Sequence, residues 1–225
     1  MRFRLVLLHC LILAALCGCA RGLVMIDGTG GQGTPEGLRD IEISGIITQA
    51  TANRVLDQLN AASGPTVRLH LDSPGGDVSA ALQIHERLRT GGWTVTTSVA
   101  DTAQCMSSCT LIFTAGDHRL AGPRSRFRFH APLYVGRLPL PGPVVDLIEG
   151  MTRRGIANTY AGVSPEFARH LADPAIRALH SRRGLALSGA QLAQRGDRFV
   201  TGLVEPDPVG TGVPVPLNRP LPVRY

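Results

Sequence analysis

The chain has no lysine, because all 23 of its basic residues are arginine. Any mechanism that needs a lysine general base or a lysine Schiff base is therefore excluded. Nor is there a run of five or more basic residues. The surplus of 23 basic over 17 acidic side chains is scattered, so the sequence lacks the footprint of a nucleic-acid binder. Charged residues make up only 18% of the chain against 44% hydrophobic, a balance that excludes a disordered protein and lets 225 residues bury one ordinary core. A long hydrophobic run is missing too: the apolar stretch near the start, Leu5 to Leu16, is short for a bilayer.

That stretch has another reading. "MRFRLVLLHCLILAALCGCARG" puts Arg2 and Arg4 ahead of the apolar run and small residues behind it, the layout of an export signal. Leu16-Cys17-Gly18-Cys19 resembles the lipobox of bacterial lipoproteins, so lipidation of Cys19 is the expectation, with plain secretion or an uncleaved anchor as alternatives. Residues 1–19 are then signal, and the chain is expected on the periplasmic side of a bacterial cell envelope, held at the membrane by lipid. Of the five cysteines only Cys105 and Cys109 remain in the folded part, in a compartment that permits them to pair.

Residues 20–39 are a Gly-rich tether. Gly28, Gly30 and Gly33 match the dinucleotide spacing G-x-G-x-x-G, but "TPEG" follows where that fingerprint needs a helix, so the linker reading is preferred. Residues 205–225 carry Pro206, Pro208, Pro214, Pro216, Pro220 and Pro222, a density that forbids regular structure. Between them, residues 40–204 alternate strand and helix patterns. "IEISGIIT", "TVRLHLDS", "WTVTTSVA" and "RFRFHAP" read as strands; "QATANRVLDQLNAA", with Ala50, Val55, Leu56 and Leu59 on one face, and "DVSAALQIHERLRTGG" read as helices. "SSCTLIFTAG" reads as a buried helix. Beyond Pro143 the pattern is mainly helical, with "RFVTGLV" as a short closing strand. The rhythm predicts an α/β domain with a largely parallel sheet and a helical C-terminal part.

Three pieces carry chemistry. In "LDSPGGD" a strand runs into Pro74-Gly75-Gly76 and then a helix, and glycines there leave backbone N–H groups free to hold a developing oxyanion. "CMSSCTLIFTAG" offers two serines, and "FRFHAP" offers His130 at a strand end as a base. Cys105 and Cys109 have no further Cys or His at ligand spacing and make a poor zinc site; they form either a disulfide or two small buried thiols. "HERLR" at His85 reads as a helix surface without the second His of a zinc motif.

Together "IEISGIIT", "LHLDSPGGDVSAALQIHERLR", "SSCTLIFTAG" and "RFRFHAP" resemble the peptidase subunit of the Clp protease within the Clp/crotonase fold, closely over residues 40–134 and loosely over residues 135–204. The resemblance implies a nucleophile nine residues before the glycine of the T-A-G segment, which is Ser107 counted back from Gly116. It implies stacked β-β-α units, with His130 as base and the amides of Gly76 and Ser108 as oxyanion hole. It also implies a serine peptidase without a cofactor, acting on peptides or proteins and forming an oligomer; no ATPase partner is expected outside the inner membrane. One departure stands out. The place of the family's third residue, an Asp, is held by Gly184, and no acidic residue occurs between Asp173 and Asp197. Either Asp173 or Asp146 reaches His130, or the site is a Ser-His dyad, or the protein is a non-catalytic, peptide-binding scaffold. Relatives that activate serine with lysine are excluded by composition.

Overall fold

The computed structural model describes residues 38–134 and 139–204; the lipobox with Cys19, the Gly-rich tether up to residue 37 and the Pro-rich tail lie outside the described residues. Strand β1 (Leu38–Ile47) is followed by α1 (Gln49–Asn60), β2 (Thr66–Gly76), α2 (Val78–Thr90), β3 (Thr94–Val99), β4 (Gln104–Met106), α3 (Cys109–Phe113), β5 (His118–Ala121) and β6 (Arg126–Phe129). Helices α4 (Gly142–Ala161) and α5 (Pro165–Ala172), strand β7 (Leu185–Ser188), α6 (Gly189–Gln194) and β8 (Gly202–Leu203) complete the order. Eight strands form one sheet, parallel throughout except for the antiparallel β6–β7 pair, in the order β7-β6-β4-β2-β3-β5-β8 with β1 on β2. The expected α/β class is the one found.

Sequence dictates the elements locally. Thr48 and Ser188 cap α1 and α6 in reciprocal capping boxes with Thr51 and Gln191, and the Asp77 carboxylate caps α2 through the amides of Ser79 and Ala80. Helix α1 buries Ala52, Val55 and Leu59, while Ala50 is exposed: its packed face is turned from the one the periodicity suggested. Three strands escaped the pattern, β4, β5 and β7, because segments of three or four residues are too short to show alternation.

Strand β2 organises the domain. Strand β1 lies along one edge for its whole length; the other edge is shared by β3, paired with Thr66–His70, and then by β4, paired at Ser73↔Cys105. The sheet therefore forks at the end of β2 that carries "SPGG". Beneath the fork an aromatic cluster of Phe113, Phe127, Phe129, Tyr160, Phe167 and Phe199 joins α3, β6, α4 and α5 with ring centroids 4.5–6.0 Å apart. The buried Arg119 guanidinium donates to the carbonyls of Gly116, Arg198 and Phe199 and fastens the β8 region to β5.

His85 is not the surface residue its helix pattern suggested. It is half-buried, and its Nδ1 donates to the Leu111 carbonyl at 2.9 Å, tying α2 to α3. Burial is the largest influence and lowers its pKa below the ordinary 6.5, against a partial upward pull from the Leu111 bond. The unfolded chain therefore takes up this proton first, so the contribution of His85 to stability is present above about pH 6.5 and is lost as pH falls below it. Thermal unfolding is expected to show Tm falling between about pH 7 and about pH 5, with a shallower fall for His85→Gln.

Candidate active site

The fork brings the sequence-predicted pieces together. Ser107 leaves β4 with φ 55°, a left-handed conformation rare for a residue with a side chain, and Ser108 then enters α3 in ordinary helical geometry. Such a conformation costs roughly 1–3 kcal/mol and persists only where the surroundings fix it. Several contacts do so. The Ser107 amide donates to the Arg128 carbonyl at 2.8 Å, and the Ser107 carbonyl accepts from the Thr110 amide at 3.0 Å and the Thr110 hydroxyl at 2.6 Å. A Cys105–Cys109 disulfide, Cα–Cα 5.2 Å, bridges the turn. The pair does not sit on a single helix, because Cys105 belongs to β4 and Cys109 opens α3, with the left-handed serine between them.

Tyr160 extends this frame. The Thr110 hydroxyl gives its hydrogen to the Ser107 carbonyl, so the Tyr160 hydroxyl, 2.7 Å away, donates to Thr110 Oγ1. Burial raises the phenol pKa far above its ordinary value of 10, which keeps that donor protonated. Helix α4 is thus connected to the turn holding Ser107 through two hydroxyls, a connection no sequence motif announces. Tyr160→Phe is expected to cost about 1 kcal/mol, seen in thermal unfolding as a Tm lower by roughly 2–4 °C.

The "SPGG" segment is strand to its end rather than a turn. Buried Ser73 donates to the Gly45 carbonyl at 2.6 Å and accepts from the Gly75 amide at 3.0 Å, fixing the segment from within. The Asp77 amide donates to the Ile47 carbonyl, so by the alternation of a parallel ladder the Gly76 N–H points away from β1, towards the β4 edge from which Ser107 emerges. A Cβ on Gly75 (φ +94°) would lie 2.6 Å from the Met106 carbonyl oxygen, 2.7 Å from Ser107 Cβ and 3.1 Å from the Ser108 nitrogen. Only a residue without a side chain lets β2 pass so close beneath the two serines.

His130 follows β6 and lines the same small cavity as Ser107 and Ser108, with Val78, Leu111, Pro132, Ile156 and Tyr160 as apolar walls. Its Nδ1 lies 2.7 Å from the Ala131 carbonyl oxygen. A carbonyl only accepts, so Nδ1 carries a hydrogen and the neutral ring keeps a free lone pair on Nε2, the tautomer a serine base requires. Ser107 and His130 are not hydrogen-bonded to each other in this structure; such contacts commonly tighten only when substrate binds.

Neither proposed acid reaches His130. Asp173 is exposed and accepts from the Ala175 amide at 2.8 Å in the turn after α5, and Asp146 is exposed on α4. Gly184 lies beside His130, since β6 and β7 pair at Phe129↔Leu185. A Cβ there would stand 2.6 Å from His130 Cβ and against the Phe129 carbonyl, so the backbone leaves no room for a carboxylate side chain. A Ser-His-Asp set does occur elsewhere, on the sheet surface, with Ser98 Oγ 3.1 Å from His70 Nδ1 and His70 Nε2 3.2 Å from Asp40. Ser98 lies within β3 and donates to the Leu69 carbonyl, with none of the turn geometry of Ser107, so it is a polar strand contact. Among the described residues there is no group of three His, Cys, Asp or Glu able to hold a metal, and no helix long and apolar enough to cross a membrane.

Comparison with known proteins bears on the family and the fold. Residues 37–140 match the Clp protease family model. The chain is 36% identical over 102 residues to the ATP-dependent Clp protease proteolytic subunit 3 of Rhizobium meliloti, covering 42% of this chain and 50% of that one. It is 34% identical over 91 residues to the corresponding subunit of Porphyromonas gingivalis, covering 39% and 41%. The chain thus spans about half the length or less of these curated relatives. In fold it is similar to a ClpP1 mutant from Listeria monocytogenes, with a TM-score of 0.59 at 23% identity over 75% of this chain and 92% of that one. Residues 37–140 are therefore similar to the Clp protease family, and the fold as a whole is similar to that of the Listeria ClpP1 mutant.

Proposed function

We propose that the chain is an exported, lipid-anchored serine peptidase of Clp type that works without an ATPase or a cofactor. The reading rests on one observation: a single cavity gathers left-handed Ser107, Ser108 and His130 in the Nδ1–H tautomer, at the turn that Gly75 passes closely. Ser107 Oγ attacks the peptide carbonyl carbon while its proton passes to His130 Nε2, and the carbonyl π pair moves onto oxygen. The amides of Gly76 and Ser108 hold that oxyanion; one such donor contributes about 3–4 kcal/mol to transition-state stabilisation. His130 then gives the proton to the leaving amine, and water hydrolyses the acyl-enzyme by the same route. The Ala131 carbonyl orients His130 as the missing Asp would, but without a full negative charge, so this is a Ser-His dyad with a backbone orienter. Oligomerisation follows from the family likeness, and export rests on the leader.

The occupation of the acid position by Gly184 favours a second reading, a scaffold that binds peptides without cleaving them. A fluorogenic peptide library incubated with the purified chain in the absence of nucleotide separates the two. Turnover supports the peptidase, whereas saturable binding of the same peptides with no turnover supports the scaffold.

A further inference from the structure

We propose that the Ser108 hydroxyl is a catalytic group in its own right, a side-chain donor to the oxyanion beside the amides of Gly76 and Ser108. This inference rests on the peptidase reading above. Ser108 is 2% exposed, and its Oγ is a buried hydroxyl without a hydrogen-bond partner among the described residues. The other buried hydroxyls are engaged: Ser73 with Gly45, Thr97 with Phe113, Thr110 with Ser107, Thr114 with Leu111, Ser125 with Gly122 and Ser164 with the Phe167 amide. Nor does Ser108 do the work serine usually does in its position. It stands at the N-cap of α3, yet its side chain makes no capping bond. Alanine would fill the same space without the penalty of a buried, unpaired hydroxyl.

Ser108 lines a cavity of fitting size. The cavity lined by Ser107, Ser108 and His130 holds about 20 Å³, enough for one water-sized atom. Its remaining walls are apolar, so a negative oxygen lodged there depends on the few donors around it. When Ser107 Oγ bonds to the carbonyl carbon, the carbonyl π pair becomes the oxyanion, and Ser108 Oγ–H donates to it without giving up its proton. When the carbonyl re-forms and the amine leaves, that hydrogen bond weakens again. The donor acts on the transition state more than on the bound peptide, so its loss falls on kcat.

The test compares the wild-type full chain with Ser108→Ala and Ser108→Thr on the fluorogenic peptide that the wild type cleaves fastest, together with inhibition by a peptide aldehyde that forms an oxyanion on Ser107. Ser108→Ala is expected to lower kcat by about 10²-fold with KM unchanged and to weaken the aldehyde by a similar factor, while Ser108→Thr, which keeps the hydroxyl, retains most of the rate. Unchanged kcat in an active Ser108→Ala, or equal losses in the Ala and Thr variants as packing would produce, overturns this inference alone. A wild type that neither cleaves peptide nor reacts with a fluorophosphonate overturns the peptidase reading and this inference with it.

Discussion

Alanine at Ser107, at His130, or at both is expected to reduce peptide hydrolysis to one common residual rate. The two side chains act as a unit, since the serine is a weak nucleophile without its base and the base has no proton to take without the serine. Removing either member of such a unit therefore costs about as much as removing both. The size of the fall depends on where the wild type starts. A triad loses about 10⁶ in kcat when its serine or histidine is removed, and loss of the orienting acid alone costs about 10⁴, mainly through the wrong tautomer. Here the Ala131 carbonyl sets the tautomer but supplies no full charge to the imidazolium, so the wild type starts lower and the fall is on the order of 10³-fold or more. Rates for the two single variants and the double variant on one peptide check this, and losses that multiply in the double variant contradict it.

Gly75→Ala has an expected effect nearly as large, at a residue without a side chain. The added methyl meets the Met106 carbonyl and Ser107 Cβ at 2.6 and 2.7 Å, at a φ of +94° that disfavours any side chain. Relief requires β2 and the serine turn to separate. A shift of about 1 Å in a catalytic group can cost on the order of 10²-fold in rate. Activity is therefore expected to fall by at least that factor, while circular dichroism keeps the α/β spectrum. Gly45→Ala, in open space at φ +71° on the β1 bulge, is the control for backbone strain alone. It is expected to lose stability by about 1 kcal/mol, seen as a lower Tm, with most activity retained.

The sequence was most legible where local chemistry decides the outcome. "SPGG" announced a strand leading to a helix, and the alternation in "TVRLHLDS" announced the strand on which the domain is built. It was least legible where tertiary contacts decide. No periodicity could reveal β4, a strand of three residues that exists because β2 and β6 flank it. Spacing alone left a disulfide and two buried thiols open for Cys105 and Cys109; they are bonded and close a strand-to-helix turn around a left-handed serine, a conformation only the surrounding hydrogen bonds sustain. Gly184 read as the loss of an acid. The structure adds that its backbone packs against His130 so closely that a side chain has no space there, and that His130 Nδ1 donates instead to the Ala131 carbonyl. Tyr160 and Thr110 lie 50 residues apart, and nothing in their neighbourhoods predicts that they meet behind Ser107.

The central claim is that Ser107 is a nucleophile activated by His130. Its most direct test is peptide mapping by mass spectrometry of the chain after reaction with a fluorophosphonate. The account predicts one adduct, on Ser107, retained in Ser108→Ala and strongly slowed in His130→Ala. An adduct on Ser108, or none on a folded wild-type chain, would contradict it.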